Sequence, residues 1–108
     1  MEKAGVSFVH RERTLTALIE CELDHHTAKG VREKIDREIF LHRPHIITLD
    51  FSGVSFMDSS GIALILGRAE VAGELGATVE LSGVSPQISK LIRLSGMERV
   101  KNLCLAND

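Results

Sequence analysis

From Thr14 to Leu23 the side chains alternate. Leu15, Ala17, Ile19, Cys21 and Leu23 fall on one side, Thr14, Thr16, Glu20 and Glu22 on the other, with Leu18 the exception. A period of two marks a strand with one covered face. A shorter alternating segment, Val6 to His10, precedes it across the charged turn Arg11-Glu12-Arg13, which predicts a hairpin. The period then changes. Ala28, Val31, Ile35 and Ile39 recur at three- and four-residue intervals, forming one stripe of an amphipathic helix. Asp24 stands before this stripe as a candidate N-cap. Pro44 disfavours helical geometry at Arg43, which predicts an end near His42.

The near-continuous apolar run in His45–Phe51 predicts a strand covered on both faces. Ser52 to Ser55 reads as a loop, after which Phe56 and Met57 are expected to return to the core. Met57-Asp58-Ser59-Ser60-Gly61 is a small polar step before a second helical run, and reads as a helix start. The helix after Ser60 is expected to bury Ile62, Ile65, Leu66 and Ala69, to turn Arg68, Glu70 and Glu74 to water, and to stop at Gly76. Thr78–Ser82 reads as a strand. Ser85-Pro86 then caps a third helix with the stripe Ile88, Leu91 and Ile92, closed by Gly96. Val100 to Leu105 is a last strand or apolar segment. The order ββαβαβα(β) predicts an α/β fold, a mixed sheet of four to five strands with helices packed against it. The strand-to-helix turns at Asp24 and Asp58 are expected to be neighbours at one edge of that sheet.

Composition narrows the function classes. One domain over residues 1–108 is expected from the length. Thirteen basic and fifteen acidic residues give a net charge of -2, which points to neither nucleic acid nor an anionic membrane as partner. Four Phe with no Trp or Tyr leave few platforms for base stacking. No stretch approaches the roughly 20 apolar residues of a membrane span, and the first residues lack the apolar core of a signal peptide. A cytoplasmic protein with reduced thiols is expected, Cys21 acting as a small core residue.

Asp58, Ser59 and Ser60 can serve as an ordinary helix cap, but the free amides of a helix start also suit an added anion such as a phosphate on a serine. For a nucleophilic serine the context is poor. Met57 stands where a nucleophile elbow needs glycine, and no oxyanion hole is evident even if His25 or His26 served as base with Asp24 as its orienter. Neither Cys21, His25 and His26 nor His42 and His45 show a four-ligand metal spacing, and no glycine-rich phosphate loop is visible. No catalytic residue, metal or cofactor is therefore predicted.

Two longer motifs go further. Glu22-Leu23-Asp24-His25-His26-Thr27-Ala28 and Ser55-Phe56-Met57-Asp58-Ser59-Ser60-Gly61 occur in order, supported by Ile65-Leu66-Gly67-Arg68, Ser85-Pro86 and Leu94-Ser95-Gly96. In these, and over roughly Val6 to Leu103, the chain resembles STAS domains, specifically the single-domain, sporulation-type anti-sigma factor antagonists of spore-forming bacteria. The resemblance implies a STAS fold and a partner-switching function. The unphosphorylated form would bind an anti-sigma factor that is also a serine kinase, and so release the sigma factor. Phosphorylation on Ser59 would inactivate it, and a phosphoserine phosphatase would restore it. The implied partner-binding residues are Asp24, Asp58, Ser59, Ser60, Gly61 and Ile62, on a monomer. Gly61-Ile62-Ala63 departs from the leucine-glycine pair that often follows the motif glycine, so Ala63 adds a methyl near the implied interface. The alternatives are a STAS-type module regulating a non-sigma partner, as in transporter-attached relatives, and a serine-nucleophile hydrolase. A phosphate adds about -1.5 to -2 charge. At an exposed helix N-terminus that charge is tolerated, with an effect of roughly 0.3–1 kcal/mol, so the switch is expected at the surface and not in the fold.

Overall fold

The alternation becomes a one-sided sheet in the computed structural model, which describes residues 5–106. Strands β1 (Val6–Arg11) and β2 (Thr14–Ile19) form the hairpin, turning at Glu12 in a left-handed conformation with φ of 52°. β3 (Ile46–Asp50), β4 (Thr78–Ser82) and β5 (Leu103–Leu105) follow in parallel, giving five strands in the order β1-β2-β3-β4-β5. Helices α1 (Ala28–His42), α2 (Ser59–Glu74) and α3 (Pro86–Ser95) alternate with the parallel strands. The mixed ββαβαβαβ architecture is the one expected, with the last strand three residues long.

The burial pattern explains why the helices share one face. Leu15, Ala17, Ile19, Ile47, Leu49, Val79 and Leu81 are sealed against Val31, Ile35, Ile39, Ile65 and Ile92 in one core. Each Val, Leu or Ile side chain among these contributes roughly 1.5–3 kcal/mol by leaving water. On the opposite face Thr16, Thr48 and Glu80 remain partly exposed. Ile46 and Thr48 of β3 are partly exposed as well, which corrects the expectation of a strand covered on both faces. Its apolar run is continuous, but its surroundings are not.

The helix ends follow local chemistry. Arg43 closes α1 in a left-handed conformation, φ 49°, with its N–H donating to the Ile39 carbonyl, and Pro44 prevents continuation. Ser85 caps α3 by accepting from the Ile88 N–H at 3.1 Å, with Pro86 in the first turn and left-handed Gly96 at the end. Asn102 donates to the carbonyls of Ala69 and Ala77, tying the end of α2 to the strand that follows.

Four side chains depart from expectation. Leu66 is exposed and Phe56 is half exposed, so Met57 alone of that pair enters the core. Cys21 lies beyond the end of β2 and is only partly buried. Arg68, expected in water, is 5% exposed. It lies on the same arc of α2 as Gly61, Leu64, Ile65, Ala69 and Ala72, against α1. Its Nε is 3.2 Å from Oδ1 of Asp36, yet neither that atom nor Nη1 finds a hydrogen bond among the described residues. Burial holds the Arg68 pKa below and the Asp36 carboxyl above their ordinary values, with attraction between the two only partly opposing both shifts.

Candidate functional site

Beyond β2 the chain makes one more sheet-like contact, and that contact builds the site. Leu23 and Met57 form an isolated parallel bridge, with the Leu23 N–H donating to the Phe56 carbonyl at 2.9 Å and the Asp58 N–H to the Leu23 carbonyl at 3.1 Å. Both side chains are buried. The next residue on each segment is an aspartate, so the turn opened by Asp24 and the helix opened by Asp58 start side by side. The predicted proximity of these two turns rests on these two backbone bonds.

Asp24 is committed to its own turn. Its Oδ1 accepts from the N–H groups of His26 at 2.8 Å and Thr27 at 3.1 Å, while the Thr27 hydroxyl donates to the Glu22 carbonyl. The bond from His26 is the largest influence holding the Asp24 carboxyl below the usual carboxylate range; the second amide and the two histidines add to it against desolvation. Asp24 was the candidate cap of α1, but Thr27 holds the N-cap position and the helix begins at Ala28. A full turn of capped loop, His25 to Thr27, intervenes. His25 and His26 lie exposed with their ring centroids 4.0 Å apart.

Asp58 is the cap of α2. It is extended, its carbonyl accepts from Gly61 N–H, and its Oδ1 accepts from Ser60 N–H at 2.7 Å. Ser59 then occupies the first position of the helix, two residues earlier than expected. It is exposed, and its hydroxyl makes no hydrogen bond to another described residue. Ser60 and Ile62 are partly buried, and Gly61 is buried. The structure therefore brings Asp24, Asp58 and Ser59 to one rim, with Ser60 a residue further along and Gly61 beneath.

Neither histidine bonds to Ser59, and the carboxylates of Asp24 and Asp58 already hold backbone amides, so the described residues form no nucleophile–base relay. No group of three or more described His, Cys, Asp or Glu side chains could hold a metal. No helix among the described residues is long and apolar enough to cross a membrane. Sequence reasoning passed over the groove between α1 and α2, lined by His25, Lys29 and Arg32 on one side and Ser60, Ala63 and Leu64 on the other. Lys29 and Arg32, three residues apart at the start of α1, were the available signal.

Comparison with known proteins agrees with this frame. Residues 6–106 match the STAS domain model. The chain is 32% identical to the anti-sigma F factor antagonist of Paenibacillus polymyxa, covering 88% of this chain and 81% of the relative. It is 39% identical to the Lysinibacillus sphaericus protein of the same name, covering 85% and 78%. The solved structures of the anti-sigma factor antagonist SpoIIAA match in two states. The unphosphorylated form has a TM-score of 0.73 at 28% identity, over 96% of this chain and 89% of that one. The phosphorylated Bacillus form has a TM-score of 0.72 at 30% identity, over 96% and 93%. With the two-turn site at the mouth of a one-sided mixed sheet and a family match across almost all described residues, this chain belongs to the STAS-domain family.

Proposed function

We propose that this protein is an anti-sigma factor antagonist. Its unphosphorylated form binds an anti-sigma factor with serine kinase activity and releases the sigma factor, and phosphorylation on Ser59 inactivates it. The observation that carries this reading is the division of labour at the start of α2. Asp58 does the capping, which leaves Ser59 exposed and its hydroxyl unengaged. A serine needed as a cap would be a poor acceptor of phosphate, because modification would break the cap. Here the phosphate adds charge at the positive end of a helix dipole and the fold persists. Asp24 and Asp58 beside it make the rim acidic, so a partner fitted to a small hydroxyl meets both bulk and like charge after modification. The chain matches SpoIIAA structures solved in an unphosphorylated and in a phosphorylated form, the two states that such a switch requires.

In this reading Asp24, Asp58, Ser59, Ser60 and Ile62 contact the partner, and Gly61 completes the set by seating the first turn of α2 beneath them. The protein works in the cytoplasm as a monomer, and a phosphoserine phosphatase returns it to the active form. In this reading it is a regulator and not an enzyme. The test is incubation with the cognate anti-sigma factor and ATP, followed by phosphopeptide mapping and a binding assay. Phosphate is expected on Ser59 with loss of the complex, and Ser59→Ala should bind irrespective of ATP. Phosphate on Ser60 or elsewhere would overturn the assignment.

A further inference from the structure

The groove between α1 and α2 carries charge of the opposite sign to the rim. Lys29 and Arg32 project from the first turns of α1, with His25 in the turn that precedes it, while Ser60, Ala63 and Leu64 of α2 form the facing wall. Lys29 and Arg32 are exposed, and neither is in an ion pair with a described residue. No carboxylate lines the groove. Its volume, about 240 Å³, is roughly eight times the ~30 Å³ share of one water. That is space for a protein side chain and not merely for an ion. Ser60 joins the groove to the rim, since its N–H is held by Asp58 while the residue itself lines the groove.

We propose that this groove receives an acidic side chain of the anti-sigma factor, its carboxylate against Lys29 and Arg32 and its methylenes on Ala63 and Leu64. The inference rests on the antagonist reading above and specifies its partner. The binding surface is bipolar, acidic at Asp24 and Asp58 and basic one helix face away. A partner must therefore present a basic and an acidic group at matching separation. Such a pattern fixes register, because the partner turned around would set like charges together. A carboxylate on the partner is favoured over a phosphate on this chain, because Ser59, the serine proposed for phosphate, is not among the groove's lining residues.

The test is titration calorimetry of unphosphorylated protein against the anti-sigma F factor of the source organism, at low and moderate NaCl. Wild type is compared with Lys29→Glu/Arg32→Glu, the milder Lys29→Gln/Arg32→Gln, and the conservative Lys29→Arg/Arg32→Lys. The expected result is affinity reduced at least about tenfold by charge reversal, less by neutralisation, and largely kept by the conservative pair. Added salt should weaken wild type more than the neutralised variant. Wild-type affinity in both the reversed and neutralised variants, with Ser59→Asp still impaired, would overturn the groove and leave the antagonist reading standing. Such a result would also be expected if the two cations served only the phosphate. Failure of unphosphorylated wild type to bind at all would overturn the antagonist reading itself.

Discussion

Gly61 lies against Met57 so closely that a methyl group on it would collide with the methionine's Cγ and Sδ and meet Leu23 Cβ at 3.4 Å. The first turn of α2 thus rests directly on the Leu23–Met57 bridge, and the motif glycine is a packing requirement.

Helix propensity and packing make opposite predictions for Gly61→Ala. Propensity alone would stabilise α2 by about 1 kcal/mol. The collision with a buried Met57 should outweigh this and destabilise the fold by about 1–3 kcal/mol. Urea denaturation decides the sign. Met57→Ala, a costly core truncation in wild type, should cost less in the Gly61→Ala background, since there it also removes the atoms in collision.

Asp58→Ala should cost about 1 kcal/mol by removing the acceptor for Ser60 N–H, whereas Asp58→Asn or Asp58→Ser should cost a few tenths. Equal losses for all three would mean that the carboxylate's charge, and not its capping geometry, holds the start of α2. Thermal melts at matched pH supply the comparison.

Replacing Ser59 by Asp should leave global stability within about 1 kcal/mol of wild type, because the new charge sits at the helix N-terminus beside another aspartate. Its binding to the anti-sigma factor should nevertheless fall sharply. Collapse of the dispersed amide NMR spectrum of the folded state would place the switch in the fold and contradict this.

The Arg68–Asp36 pair should be asymmetric. Asp36→Leu strands a guanidinium that is almost sealed from water, and should cost up to about 3–5 kcal/mol. Arg68→Met leaves Asp36, whose side chain is 27% exposed and can hydrate, so its cost should be smaller. The double variant Asp36→Leu/Arg68→Met should be more stable than Asp36→Leu alone. A double-mutant cycle by chemical denaturation measures all three.

Asp24 should titrate below an ordinary aspartate, because its ionised form accepts two amides. A depressed folded-state pKa means that the stability it contributes is complete above the unfolded value and is lost as pH falls through the folded one. Carboxyl-carbon NMR should show this, with the amide resonances of His26 and Thr27 shifting in the same pH interval. A midpoint at or above the ordinary aspartate value would refute the bond pattern.

Much of this molecule was legible as pattern. A period of two from Thr14, a period near 3.6 from Ala28, the proline at 44 and the Ser85-Pro86 start each impose a local geometry that neighbours need not supply. Their positions in the fold agree with that reading. The two motifs likewise located the rim, because capping and turn chemistry act over three or four residues.

What failed was inference about surroundings. Arg68 reads as a water-facing charge until its spacing from Leu64 and Ile65 is taken as seriously as its chemistry; only the packed α1 shows Asp36 there to meet it. The apolar run of β3 suggests two covers, whereas all three helices pack on the same face of the sheet. Asp24 suggests a helix cap, but its amides belong to a separate turn before the helix. The sequence by itself determined the elements, their order and the serine-bearing helix start, since these depend on short-range backbone sterics and hydrogen bonds. Only the tertiary structure decided which faces are covered, why Gly61 has no side chain, and that an acidic rim and a basic groove share one end of the molecule. Those depend on contacts between residues far apart in the chain, such as Leu23 with Met57 and Arg68 with Asp36, which no local pattern contains.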